Sequence, residues 1–245
     1  MGFFKKELDK YEFPFMPRDE EAQRLVPSPK PAKNYFPKWM KEMPNSFKDE
    51  QGYEIFGSAT RCMPFVDSFV SGYIQELACD VNIRHEGKAK DGSDIVRYRW
   101  AGLVRPLETR AEQFKAPNLF PKFDGYYHTE MHWHSFWEPK TPKGYSTLYH
   151  HPSNRFDLPF HTLSGIIDTD SWHINGPVPF LIKEGFQGVI PAGTPIYQIT
   201  FVKREEWHSS EAEFDPNIQL PLRQSVRRHA KDGYKKEIWT GKRFF

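Results

Sequence analysis

The clearest regularity along this 245-residue chain is a two-residue alternation of apolar and polar positions. Strand side chains point alternately to opposite faces, so the alternation predicts strands buried on one side. In "CDVNIRHEGKAKDGSDIVRYRW", Val81 and Ile83 alternate with Asp80, Asn82 and Arg84. Asp91-Gly92 then breaks the chain, and Val96, Tyr98 and Trp100 alternate with Arg97 and Arg99. This spacing predicts a hairpin with one buried and one wetted face. The same period in "IYQITFV" places Tyr197, Ile199 and Phe201 on one face and Ile196, Gln198 and Thr200 on the other. Trp100, Ile167, Ile199 and Phe201 are the expected core residues.

Helical periodicity is weaker. Its best stretch is residues 219–237, where Leu220, Leu222 and Val226 precede "RRHAKDGYKK"; Pro221 suits only a first turn, and Gly233 interrupts the pattern. Aromatic residues make up 16% of the chain, and 21 prolines and 16 glycines punctuate it, which shifts the balance further towards short strands and turns. The expected fold class is mainly β, an antiparallel barrel or sandwich with an extended N-terminal arm and a short C-terminal helix. Residues 1–55, proline-broken and scattered with Phe13, Phe15, Tyr35, Phe36 and Trp39, predict an arm laid on the domain or on a neighbouring subunit, with a loosely ordered leader as the alternative. Such an arm is expected to add little to the core. Residues 56–206 form the expected β domain, and residues 207–245 a basic tail.

A formal net charge of +2 leaves no global field directed at nucleic acid. The tail is the exception: from Arg223 to Phe245 it holds eight Lys or Arg against Asp232 and Glu237. Nucleic-acid contact by this tail is an open reading, with solvated surface the favoured one. Two cysteines, Cys62 and Cys79, are too few for a disulfide framework and read as small buried apolar residues. No charged leader precedes an apolar run, and no apolar stretch of about 20 residues occurs, so a soluble protein without membrane contact is expected.

Three further pieces carry candidate chemistry: "TPKGYSTLYHHPSNR" at 141–155, "SGIIDTDSW" at 164–172 and "FQGVIPAGTPIYQI" at 186–199. Each reads as a strand tied to a tight turn. Pro142, Gly144 and Tyr145, then Gly165, Ile167, Asp168 and Asp170, then Ile190, Gly193 and Gln198 make this region resemble the dUTPase and dCTP deaminase superfamily. The resemblance spans about 60 residues and implies a β-clip or jelly-roll-like barrel that often trimerises, hence a homo-oligomer. It also implies Asp168 as the base that activates water, and Ser153, Arg155 and Gln198 as nucleotide-binding residues. Three elements depart from the family pattern. Ser171 stands where an aromatic belongs, with Trp172 displaced by one; "HPSNR" replaces the phosphate-gripping Arg-Ser pair; and "GYKKEIWTGKRFF" lacks the small residues of a phosphate lid. These departures argue against dUTP hydrolysis. The local reading of Asp168 is a turn residue whose carboxylate accepts backbone N–H groups just downstream. The wider block, with "PFVDSFVSGYI" and "PSNRFDLPF", also resembles uncharacterised phage and bacterial proteins, which implies the host cytoplasm, with virion association as a variant.

"GYYHTEMHWHSFWEPKTPKG" holds His132 and His134 at i and i+2, followed by Glu138. Side chains two apart on a strand share a face, so these three are candidate ligands for a divalent first-row metal. Their spacing resembles the first cupin motif, and "GFQGVIPAG" the opening of the second, but Ile196 stands where the family's later histidine belongs. A looser set, His128 and Glu130 with His173, imitates a two-His-one-carboxylate triad. His150 and His151 beside Ser153 lack the Gly-x-Ser-x-Gly elbow of a nucleophile.

Two function readings remain. The first is a non-enzymatic, phage-type β protein acting through assembly or protein–protein contact, with the N-terminal arm reaching its partners. The second is a nucleotide-binding or nucleotide-hydrolysing protein of the dUTPase kind, or a metal-dependent enzyme of the cupin kind.

Overall fold

A computed structural model of the protein describes residues 12–115, 117–172, 176–229 and 232–242, apart from the Phe56 side chain. Contacts divide the chain into two units, each discontinuous in sequence. One comprises the described residues up to Lys30 with Gly72–Arg204; the other comprises Pro31–Ser71 with the described residues from Glu205 onward. The divisions fall after Lys30, Ser71 and Arg204, so residues 12–55 are shared between the two units.

The fold is mainly β, with 33% strand and 21% helix in antiparallel sheets. The chain begins with β1 (Phe15–Pro17), α1 (Glu20–Leu25) and the short β2 (Lys30–Pro31). The second unit then takes α2 (Lys38–Glu42), β3 (Ser46–Lys48), β4 (Glu54–Gly57) and α3 (Met63–Val70). Back in the first unit come β5 (Tyr73–Glu76), β6 (Asp80–Lys88), β7 (Asp94–Ala101), β8 (Leu107–Thr109) and α4 (Arg110–Phe114). There follow β9 (Met131–His134), β10 (Trp137–Pro139), β11 (Tyr145–His150), β12 (Phe160–Thr162) and β13 (Gly165–Ile167). The unit closes with β14 (Pro177–Ile182), β15 (Gly188–Ile190) and β16 (Pro195–Lys203), after which α5 (Pro216–Arg227) and α6 (Gly233–Glu237) belong to the second unit. Among the described residues no helix is long and apolar enough to cross a membrane.

Three sheets frame the main core, in the orders β13–β11–β16–β5–β2, β12–β14–β9–β8 and β15–β6–β7. Each contributes inward-facing residues: Tyr149, Tyr197 and Ile199 from the first, Trp133, Phe160 and Phe180 from the second, Val81, Ile83 and Ile190 from the third. Trp133 lies parallel to Phe180 with centroids 3.7 Å apart and meets Phe160 edge-on at 5.1 Å. Its indole N–H donates to Thr162 Oγ1 at 3.2 Å, and the Thr162 hydroxyl donates to the Ile196 carbonyl at 2.6 Å. A large aromatic with a satisfied polar edge thereby joins two sheets.

The expected hairpin forms as β6 and β7, in register from Asp80 opposite Ala101 to His85 opposite Val96, with a shift before Lys88 opposite Asp94. Trp100, however, is 39% exposed. It lies on the edge strand of its sheet, where the Arg105 guanidinium, 5.8 Å from its ring centroid, covers it in place of the core. In β16 the alternation hides a strand buried on both faces, since Ile196, Tyr197, Gln198 and Ile199 are all buried. Ile167 and Phe201 pack at the margin of the core.

The arm does contribute to the core. Phe13 stacks on Phe201 with centroids 4.3 Å apart, Phe15 meets Tyr73 edge-on, and β1 pairs with β10. Ala22 and Val26 are buried in a satellite cluster with Val104 and Phe136. In the second unit Phe36 and Trp39 pack on Phe69. The late helix is two helices. Asp215 caps α5 and Pro216 opens it, so Pro221 lies inside α5 and not in its first turn. Cys62 is exposed; only Cys79 is buried.

Candidate functional site

The end of β11 builds an open pocket of about 310 Å³ lined by His150, His151, Ser153, Arg155, His161 and Lys183, among others. Strand register creates it. His150, the last residue of β11, stands opposite Gln198 of β16. Pro152 then turns the chain, and Asn154 adopts a φ of +56°, a left-handed conformation that Asn tolerates better than most residues. The buried Gln198 side chain accepts the Ser153 backbone N–H at 2.9 Å, which pins the turn to the sheet beneath it. Ser153, Arg155 and Gln198, which come from two separate pieces of sequence, thus meet at one place.

The surrounding hydrogen bonds set the tautomers. His151 Nε2–H donates to the Arg155 carbonyl at 3.1 Å, so its Nδ1 accepts the Thr162 N–H at 3.2 Å. Burial, the largest cause, pushes the His151 imidazole down to about 4, and the positive charges nearby act in the same direction. Burial also lowers His150 and His161 from the ordinary histidine range. The imidazoles are therefore neutral at pH 7, and the local positive charge comes from lysine and arginine. Arg155 donates twice to Asp157, at 2.9 and 2.8 Å, while the Lys183 ammonium donates to the Phe156 carbonyl at 2.6 Å. His161 stacks on His151 with centroids 4.5 Å apart and lies 6.3 Å from the Tyr126 ring. The pocket combines a lysine, polar main chain and flat ring surfaces. No family model and no curated protein matches this chain. Chemistry and geometry therefore carry the functional reading by themselves.

Asp168 is not part of this pocket. Its Oδ1 accepts from Ser146 Oγ at 2.7 Å and from Arg204 Nη1 at 2.9 Å. Ser146 is four residues before His150 along β11, a separation of about 13 Å on an extended strand. The expected turn role also belongs elsewhere. The turn hydrogen bonds from Ser171 and Trp172 N–H go to the Asp168 main-chain carbonyl, and it is Asp170 whose carboxylate accepts a backbone N–H, from Gly144 at 2.8 Å. Arg204 also bonds Asp170, and this bond, with the Gly144 N–H, holds its carboxyl down to about 2. Arg204 therefore clasps both acids of "SGIIDTDSW" onto the start of β11.

His132 and His134 do share a face of β9, but each is engaged by a separate carboxylate. His132 contacts Glu130 at 2.8 Å and Gln113 at 2.6 Å, and His134 contacts Glu108 at 3.1 Å. Glu138 lies past the end of β9, buried in β10, and accepts from Ser135 Oγ at 3.3 Å and the Tyr149 hydroxyl at 3.5 Å. The structure does not bring these three together, and among the described residues no three His, Cys, Asp or Glu side chains form a group arranged to hold a metal ion. Of the looser set, His173 lies outside the described residues. Lys183, His161 and Tyr126 were not legible as site residues, because the chain positions that bring them to the pocket depend on the pairing of β12 and β14.

Proposed function

We propose that the protein binds a phosphate-bearing small molecule, of which a nucleotide is the best-fitting class, without the hydrolysis that the resembling enzymes perform. The observation that carries this reading is the convergence of Ser153 and Arg155, on a turn held from beneath by Gln198, with Lys183 and the His161 and Tyr126 rings on one pocket. A lysine ammonium suits phosphate oxygens, and the rings suit a base. A volume of about 310 Å³ lies at the small end of ligand pockets and matches one nucleotide. The position of Asp168 supports binding without turnover. A general base has to lie within hydrogen-bond reach of the proton it removes, and Asp168 is at the other end of β11, tied to Arg204.

Calorimetric titration with dUTP, alongside an assay for released pyrophosphate, tests both halves. Binding with no pyrophosphate, weakened roughly tenfold or more in Lys183→Ala, is the expected result. Failure to bind overturns the reading of the pocket. Pyrophosphate release that is lost in Asp168→Asn overturns the exclusion of turnover.

A further inference from the structure

The stretch from Glu205 to Arg228 lies within the longest run of the described chain without a buried side chain, Thr200–His229. It nevertheless carries Trp207 (87% exposed), Phe214, Ile218 (67% exposed), Leu220 and Leu222 in the open. Ile218 and Leu222 are four apart on α5 and so share a face, with the less exposed Ser225 and Val226 continuing the same stripe. A helix whose apolar stripe remains in water forgoes the burial that normally stabilises it.

Charge along the same stretch is split in two. Residues 205–215 hold Glu205, Glu206, Glu211, Glu213 and Asp215 with no Lys or Arg, while residues 216–228 hold Arg223, Arg227 and Arg228 with no acid. In a two-fold contact one patch meets its own copy, so each part has to complement the part opposite it. Antiparallel pairing of two such stretches sets the acidic half of each against the basic half of the other and closes the Ile218–Leu222 stripes on one another. Parallel pairing would place like charges together. A different partner would need no such internal symmetry of sign.

We infer that Glu205–Arg228 is a homodimerisation element that pairs antiparallel with the same element of a second copy. The contact is two-fold, apolar along α5 and ionic at both ends. It is independent of the ligand pocket, which belongs to the other unit.

Sedimentation of the full chain at low and high salt provides the test, with circular dichroism to verify folding. The expected result is a dimer whose dissociation constant rises with salt. Ile218→Asp with Leu222→Asp is expected to give a folded monomer, since no buried side chain is touched. Arg227→Glu with Arg228→Glu is expected to raise the dissociation constant roughly tenfold, and adding Glu211→Arg with Glu213→Arg to the same chain is expected to restore it. A monomeric or trimeric unmodified protein, or a dimer indifferent to the paired aspartates, overturns the inference. Failure of the charge swap to rescue overturns the antiparallel arrangement.

Discussion

Glu138 is a carboxylic acid buried in the fold. Burial lifts its carboxyl to about 7 from an ordinary 4.5, against hydrogen bonds from Ser135 and Tyr149 that act in the opposite direction. Between those two pH values the folded protein holds a proton that the unfolded chain has released. Stability is therefore lost as pH rises through the window, by about 3 kcal/mol in total. His151 acts in the opposite sense. Its folded value of about 4 lies below the ordinary 6.5, so its share of stability is present above 6.5 and is lost as pH falls towards 4. The two windows overlap and offset one another. Glu138→Gln should thus be nearly neutral at about pH 4 and stabilise by about 3 kcal/mol at about pH 8, as measured by urea unfolding. The two acids of the clasp differ in the same concrete way. Asp170, whose side chain is 5% exposed, should cost about 1–3 kcal/mol on change to alanine, because the Gly144 N–H and Arg204 lose their acceptor. Asp168, whose side chain is 65% exposed, should cost under about 0.5 kcal/mol on change to asparagine.

At the scale of elements, the register of β5 against β16 depends on one backbone position. Gly72 has a φ of +72°, and a Cβ there would lie 2.0 Å from the Ile199 carbonyl oxygen. Gly72→Ala is therefore expected to disrupt this pairing and cost more than about 3 kcal/mol, or abolish soluble expression, where a surface substitution would change stability by less than about 0.5 kcal/mol. The two tryptophans of the β sheets make a matched comparison. Trp133→Ala removes a fully buried ring and should cost about 3–5 kcal/mol, whereas Trp100→Ala, at an edge under Arg105, should cost about 1 kcal/mol or less in the same unfolding assay. That contrast marks what was legible in the sequence. The β6–β7 hairpin was, because alternation and an Asp-Gly turn are local signals. Trp100 has the same alternation as Val96, but only tertiary packing leaves its end of β7 exposed while Val96 is buried. Ser153, Arg155 and Gln198 were candidates only through the resemblance to the dUTPase superfamily, whereas Lys183 and His161 reach the pocket through long-range pairing that leaves no local trace. The arm's aromatics do lie on the domain, as expected, but its contribution to the core was underestimated. Prolines keep its strands and helices short but do not prevent Phe13 from stacking on Phe201.

At the scale of the whole molecule, the first unit is interrupted once, between Lys30 and Gly72, and the second is assembled from that interruption plus the end of the chain. The second unit has its own tertiary ties: Trp239 Nε1–H donates to Asp67 at 3.0 Å, and Gly233 packs so close to the Val226 carbonyl that a Cβ would be 1.8 Å from it. Truncation after Arg204 should leave the first unit's β signal intact in circular dichroism, while trypsin should cut within residues 31–71, which lose their partner segment. This topology also sets an order of events during synthesis. Residues 31–71 leave the ribosome early, yet the residues that complete their unit follow only after roughly 130 more have been added, a wait on the order of ten seconds at ordinary elongation rates. Throughout that interval Phe36, Trp39, Phe65 and Phe69 belong to an unfinished unit. The nascent chain is thus exposed to chaperone capture or mispairing at a segment far from its growing end until residues beyond Arg204 are made.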